Sequence, residues 1–170
     1  MSARAVRWRH DVVRLRRQAS ARQAPPPPLT NAQLTAIIDA RPPAMAKLTK
    51  AVLARVRERI PGAVELVYDK KNSLVIGFCS AERASNVINS IAVYSKWINL
   101  YFFEGDTLPD PEGLLQGSGS MVRSIRVTDA AELDRPAVKA LMAEARKCAE
   151  PPLDPNATRK VLLKQSTRRS

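Results

Sequence analysis

The sequence predicts an α+β protein: a roughly five-stranded, mostly antiparallel sheet with two N-terminal helices and one C-terminal helix packed on one face. Three observations predict it. Apolar residues recur every three or four positions between Pro43 and Ile60. Between Ala63 and Val127 the chain breaks into short β-branched and aromatic runs whose links are mostly too brief for crossover helices. A second helical stripe then follows Asp134.

Taken in order, Thr30 or Asn31 is suited to cap a short helix, Ala32 to Asp39, that buries Leu34, Ile37 and Ile38. Arg41-Pro42-Pro43 breaks it, because the residue before a proline is driven out of the helical region. In the next helix Met45, Leu48, Val52, Val56 and Ile60 form the apolar stripe, and Lys47, Lys50, Arg55, Arg57 and Arg59 form a basic face. That face can be solvated or can touch phosphate. Pro61-Gly62 stops the helix. Ala63 to Asp69, a turn at Lys70-Lys71-Asn72 and Ser73 to Cys79 read as a β-hairpin, with Gly77 marking a bulge or the close approach of another backbone. Val87 to Tyr94 and Trp97 to Phe103, joined by Ser95-Lys96, are expected to pair antiparallel. A fifth strand is expected over Met121 to Val127. Asp134 is the expected N-cap of the last helix, Pro136 lies in its first turn, and Val138, Leu141, Met142, Ala145 and Cys148 form its core stripe until Pro151-Pro152.

Charge divides the chain. The formal net charge is +12, of which residues 1–30 carry +6, residues 31–150 only +2 and residues 151–170 +4. Residues 1–30 read as a basic, disordered extension ending in a polyproline linker, residues 31–150 as the domain, and residues 151–170 as a basic disordered tail with a brief apolar patch at Val161-Leu162-Leu163. The basicity thus belongs to the ends and offers sequence-independent association with nucleic acid. No apolar run approaches the ~20 residues of a membrane span, and no signal peptide is evident. A cytoplasmic protein, monomeric or a small homo-oligomer, is expected. Cys79 and Cys148 lack metal-ligand spacing and read as small buried hydrophobes in a reducing compartment.

The single histidine, His10, lies in the extension, so the domain is without the histidine of a Ser-His-Asp triad, a Cys-His dyad or a His-bearing metal site. There is no phosphate-binding glycine motif of the P-loop or dinucleotide type. No enzyme and no cofactor are expected. The unusual stretch is Trp97 to Val127. Gly117-Ser118-Gly119-Ser120 can turn its backbone N–H groups into an anion nest, with two hydroxyls nearby and Arg123 for bidentate recognition. Strand alternation puts Arg123 with Ile125 and Val127, and Arg126 opposite. In the alternative, Arg123 pairs with Glu65, Asp69 or Glu104 and the glycines only form a turn. The expected pocket lies between sheet and helices, is lined by Tyr68, Phe78, Trp97, Tyr101 and Phe103, and takes a small anion or polar metabolite held by Gly117 to Ser120 and Arg123. Glu104, Asp106, Asp110 and Glu112 supply the alternative, a hard-cation site.

The blocks PGAVELVYDKKNSLVIGF, ERASNVINSIAVYSKWINLYFFEGDTLPDPEGLLQGSG, VRSIRV and LDRPAVKALMAEA resemble the YdhG-like domain, a small bacterial family of unknown function, over about Ala32 to Ala149. The resemblance implies a compact, single-domain cytosolic α+β protein with no settled activity. Some relatives are described as frataxin-like iron chaperones, which expose an acidic surface, whereas the long helix here has only Glu58 against five basic residues. Relatives tend to have Pro where Ser95 stands and Lys where Ser120 stands.

Overall fold

The computed structural model describes residues 28–166, and the extension before Pro28 lies outside them. Helices α1 (Asn31–Asp39) and α2 (Pro43–Arg59) precede strands β1 (Val64–Lys70), β2 (Ser73–Cys79), β3 (Val87–Val93), β4 (Ile98–Phe102) and β5 (Arg123–Val127). Helix α3 (Pro136–Lys147) and strand β6 (Lys160–Ser166) follow. The fold is α+β, with an open six-stranded mixed sheet ordered β5-β4-β3-β2-β1-β6. No helix among the described residues is long and apolar enough to cross a membrane.

Local chemistry explains the helix boundaries. Thr30 caps α1 through a reciprocal box with Gln33, each side chain accepting the other's backbone N–H. Pro43 opens α2, where its missing N–H leaves nothing unsatisfied. The start of α3 departs from expectation. Pro136 holds Arg135 extended, so Arg135 takes the cap position without a side-chain bond. Asp134 ends a short 3-10 turn, Ala130–Asp134, that is capped by Asp129. Released from capping, the Asp134 carboxylate accepts from Arg55 Nε at 2.8 Å and Arg59 Nη2 at 2.7 Å. Those two bonds hold it below the usual carboxylate range.

Strand alternation divides the sheet into two faces. Val67, Leu74, Ile76, Phe78, Ile91, Ile98, Leu100, Phe102 and Val127 point toward Leu34, Ile38, Val52, Val56, Leu141 and Met142 of the helices, forming the main core. Leu66, Tyr68, Val75, Cys79, Ala92, Tyr101, Phe103 and Leu162 form a second cluster on the opposite face. The expected bulge falls beside Gly77, at the Phe78/Cys79 register shift against β3. A Cβ at Gly77 would meet nothing closer than 3.6 Å, so no other backbone presses on it.

Two expectations need correction. The strand count is six, because the segment read as a disordered basic tail supplies β6, which pairs in parallel with β1 from Val64↔Lys160 onward. Its apolar patch is the reason: Val161 joins the main core and Leu162 the opposite cluster, so one short run serves both faces. The strap that leads there crosses the α2–β1 turn so closely that a Cβ on Gly62 would lie 1.9 Å from the Asp154 carbonyl oxygen. Cys148, expected in the core stripe of α3, is instead exposed at the helix C-cap. The helix ends one residue too early to turn it inward.

Candidate functional site

Arg123 begins β5 half-buried, on the same face as Ile125 and Val127, as alternation requires. Its guanidinium meets neither a nest of N–H groups nor a carboxylate. Nη1 donates to the carbonyl oxygens of Gly119, at 2.6 Å, and Val122, at 3.1 Å. Its aliphatic stem lies between two glycines. A Cβ on Gly105 would sit 2.5 Å from Arg123 Cβ, and one on Gly117 would lie 3.7 Å from its Cδ. Gly117 alone of the two bend glycines takes a positive φ, 128°. The bend therefore presents acceptors to the arginine, and the arginine clamps the loop. Ser118 and Ser120 are exposed beside it.

The carboxylates named as possible partners of Arg123 are engaged elsewhere. Glu65, 1% exposed, takes a bidentate pair from Arg57, Nε at 2.7 Å and Nη2 at 2.8 Å. Asp69 is paired with Arg41. The basic face of α2 is thereby largely neutralised: Arg55 and Arg59 hold Asp134, Arg57 holds Glu65 and Lys50 holds Asp39. In the C-terminal segment Lys160 pairs with Glu82, which holds Glu82 below its ordinary value, and Arg159 donates to Asn31 Oδ1. These contacts commit that basic charge to the fold.

Nor do the four loop acids converge. The Asp110 carboxylate accepts from the backbone N–H groups of Leu114, at 2.9 Å, and Leu115, at 2.8 Å, closing the turn. Glu112 accepts from Arg135 at 3.2 Å, while Glu104 and Asp106 are exposed. Among the described residues no group of three or more His, Cys, Asp or Glu side chains is placed to hold a metal ion.

The aromatic residues do come together, but not where the sequence put them. Tyr68, Trp97, Tyr101 and Phe103 share the face opposite the helices, whereas Phe78 points into the main core. Hairpin register is the reason. With Lys71-Asn72 as a two-residue link, Tyr68 stands beside Val75, and Phe78 beside Glu65. The expected pocket between sheet and helices is thus split across the sheet.

On the opposite face two rows cross the sheet side by side. One runs Leu66, Gly77, Ser90, Tyr101, Ser124, and the next runs Tyr68, Val75, Ala92, Asn99, Arg126. Small residues at 77, 90 and 92 leave a trough between the two tyrosines. Asn99 Nδ2 donates to the Tyr101 hydroxyl at 3.1 Å. At the end of the trough Arg126 stacks over Trp97, 4.7 Å from the ring centroid, with Tyr94 tilted against the same ring at 5.5 Å. Two hydrogen-bonding atoms here are buried without a partner among the described residues: Ser90 Oγ and Trp97 Nε1. Burial pushes the Cys79 thiol and the Tyr68 hydroxyl each up to about 12, so both stay neutral near pH 7. Sequence reasoning passed over Ser90 and Asn99. Their signal was polar residues in step with Ala92 and Tyr101 inside otherwise apolar strands.

No family profile, curated protein or solved structure matches this chain.

Proposed function

We propose that the domain is a non-enzymatic module that binds a small polar or anionic molecule on the sheet face opposite the helices. The observation that carries this reading is the pair of buried, unpartnered atoms, Ser90 Oγ and Trp97 Nε1, set among Tyr68, Tyr101 and Asn99. A buried polar group without a partner costs about 1–3 kcal/mol, so its retention points to a partner that arrives from outside. An indole N–H only donates, so the ligand presents an acceptor to Trp97. Arg126, exposed above the same ring, suits an anionic substituent. Binding without catalysis fits the neutral Cys79 and Tyr68 and the carboxylates engaged in ion pairs and turns. Membership of the YdhG-like family and a cytoplasmic location belong to the same proposal. The first rests on the sequence blocks and the second on two free thiols.

The test follows the Trp97 indole N–H resonance, assigned with Trp97→Phe, while carboxylates, sugar phosphates and nucleosides are titrated in turn. A saturable shift that disappears in Ser90→Ala is the expected result. If no compound shifts the resonance, or the shift survives Ser90→Ala unchanged, the reading fails.

A further inference from the structure

We propose that residues 1–27 lie across the sheet face opposite the helices and cover it. The face is too dry to be bare. Tyr68 is 6% exposed, Tyr101 7% and Phe103 3%, although α1, α2 and α3 all pack on the other side. Tyrosine and phenylalanine each bury 150–250 Å² when enclosed, and rings standing on an open sheet keep much of that surface wet. The partly buried neighbours Val87, Tyr94 and Val122 flank the strands at their ends, and Ala84 sits in a connecting turn. They close the rim and leave the middle.

The chain preceding Pro28 starts at the right place. Pro28 is bridged to Leu162, and Leu29 N donates to Val161 O at 2.8 Å. Leu162 is itself part of the dry cluster, so the polypeptide leaves from an edge strand whose side chain already points onto this face. Length is sufficient. Six strands spaced by 4.7–4.9 Å make a crossing of about 24 Å. Wound even as tightly as a helix, 27 residues reach about 40 Å. The chemistry fits as well: Val6, Trp8, Val12, Val13 and Leu15 can meet Tyr68, Ala92 and Tyr101, while the interspersed arginines stay in water. Thr167 to Ser170, at the other end, carry no apolar side chain. This cover is independent of ligand binding, since a face that binds nothing can still be covered.

The full-length protein tests it. A nitroxide is attached to Val13→Cys in a Cys148→Ser background, and amide signals are recorded before and after reduction of the label. Signals of Leu66, Ala92 and Tyr101 should broaden strongly, while those of Val52 and Leu141 on the helix side stay sharp. Arg17→Cys repeats the measurement in case the first label itself prevents docking. Uniform broadening, or none from either position, overturns the proposal. Mixing labelled chains with separately isotope-enriched, unlabelled chains supplies the other control. Broadening that appears in full in that mixture assigns the cover to a second copy and also overturns it.

Discussion

On the helix side of the sheet, Ile76, Ile91 and Leu100 meet helix residues in one continuous apolar core, and its buried charges are paired, Glu65 with Arg57 and Asp69 with Arg41. On the opposite side the same strands present tyrosines, a tryptophan, serine and asparagine around a trough of small residues, with two buried polar atoms left without partners. One face is complete within the described residues, and the other is chemically unfinished. The difference teaches where stability and recognition reside. A core closed on itself supplies stability, whereas a dry face with unmet hydrogen bonds is organised for something else to touch.

Matched truncations probe this contrast most strongly. Leu100→Ala, on the helix side, should cost about 4 kcal/mol by chemical denaturation, and Leu66→Ala, equally buried on the other face, about 2–3 kcal/mol. Equal losses would break the comparison, since they would make both faces equally well filled. Next comes the buried ion pair. Glu65→Ala leaves Arg57 without its carboxylate and should cost about 3 kcal/mol, with Arg57→Leu in the same chain recovering part of it. A loss no larger than that of an exposed pair such as Lys147–Glu144 would show that the helix-side pair is not isolated from water.

Alkaline titration isolates the other face. Cys79 and Tyr68 ionise at about 12 when folded, against ordinary values of 9.0 and 10.0. The unfolded chain therefore loses these protons first. Stability should hold below pH 9, then fall by up to about 1.4 kcal/mol per pH unit for each group as pH rises toward 12. Cys79→Ala should delay the onset by removing the earlier of the two, and an unchanged onset would mean that the thiol is not shielded. The smallest effect is expected at Ser90→Ala. Its hydroxyl has no partner to lose, so the change should stay within about 0.5 kcal/mol and favour the folded state if it is resolved. A loss well beyond that would show that Ser90 is already satisfied and would sharpen the site toward Trp97.

Local periodicity made most of the architecture readable. Met45, Val52 and Val56 announce α2 by spacing alone, and alternation correctly assigns Arg123 to the face of Ile125 and Val127. What stayed hidden depends on contacts remote in sequence. Strand β6 is short and basic, and it becomes a strand only by lying parallel to β1, nearly a hundred residues earlier. The exposed Cys148 reflects where α3 stops, a boundary no periodic pattern fixes. Arg123 read as a charge in search of an anion because backbone carbonyls carry no sequence signature. The misplaced pocket was within reach, however. A two-residue link at Lys71-Asn72 fixes Tyr68 beside Val75 and so separates it from Phe78.

The two margins of the sheet carry a last consequence. Along β5, Gln116 and Ser124 exchange both backbone hydrogen bonds at 2.8 Å, and along β6 the Pro28–Leu162 bridge and Leu29 occupy part of the outer side. An exposed strand edge is a template on which another chain can add, and proline has no N–H to extend such a ladder. With one hem stitched by a loop and the other partly by a proline-led segment, the sheet resists growing sideways into a filament. Self-association of this protein is thereby steered away from strand exchange and toward its faces.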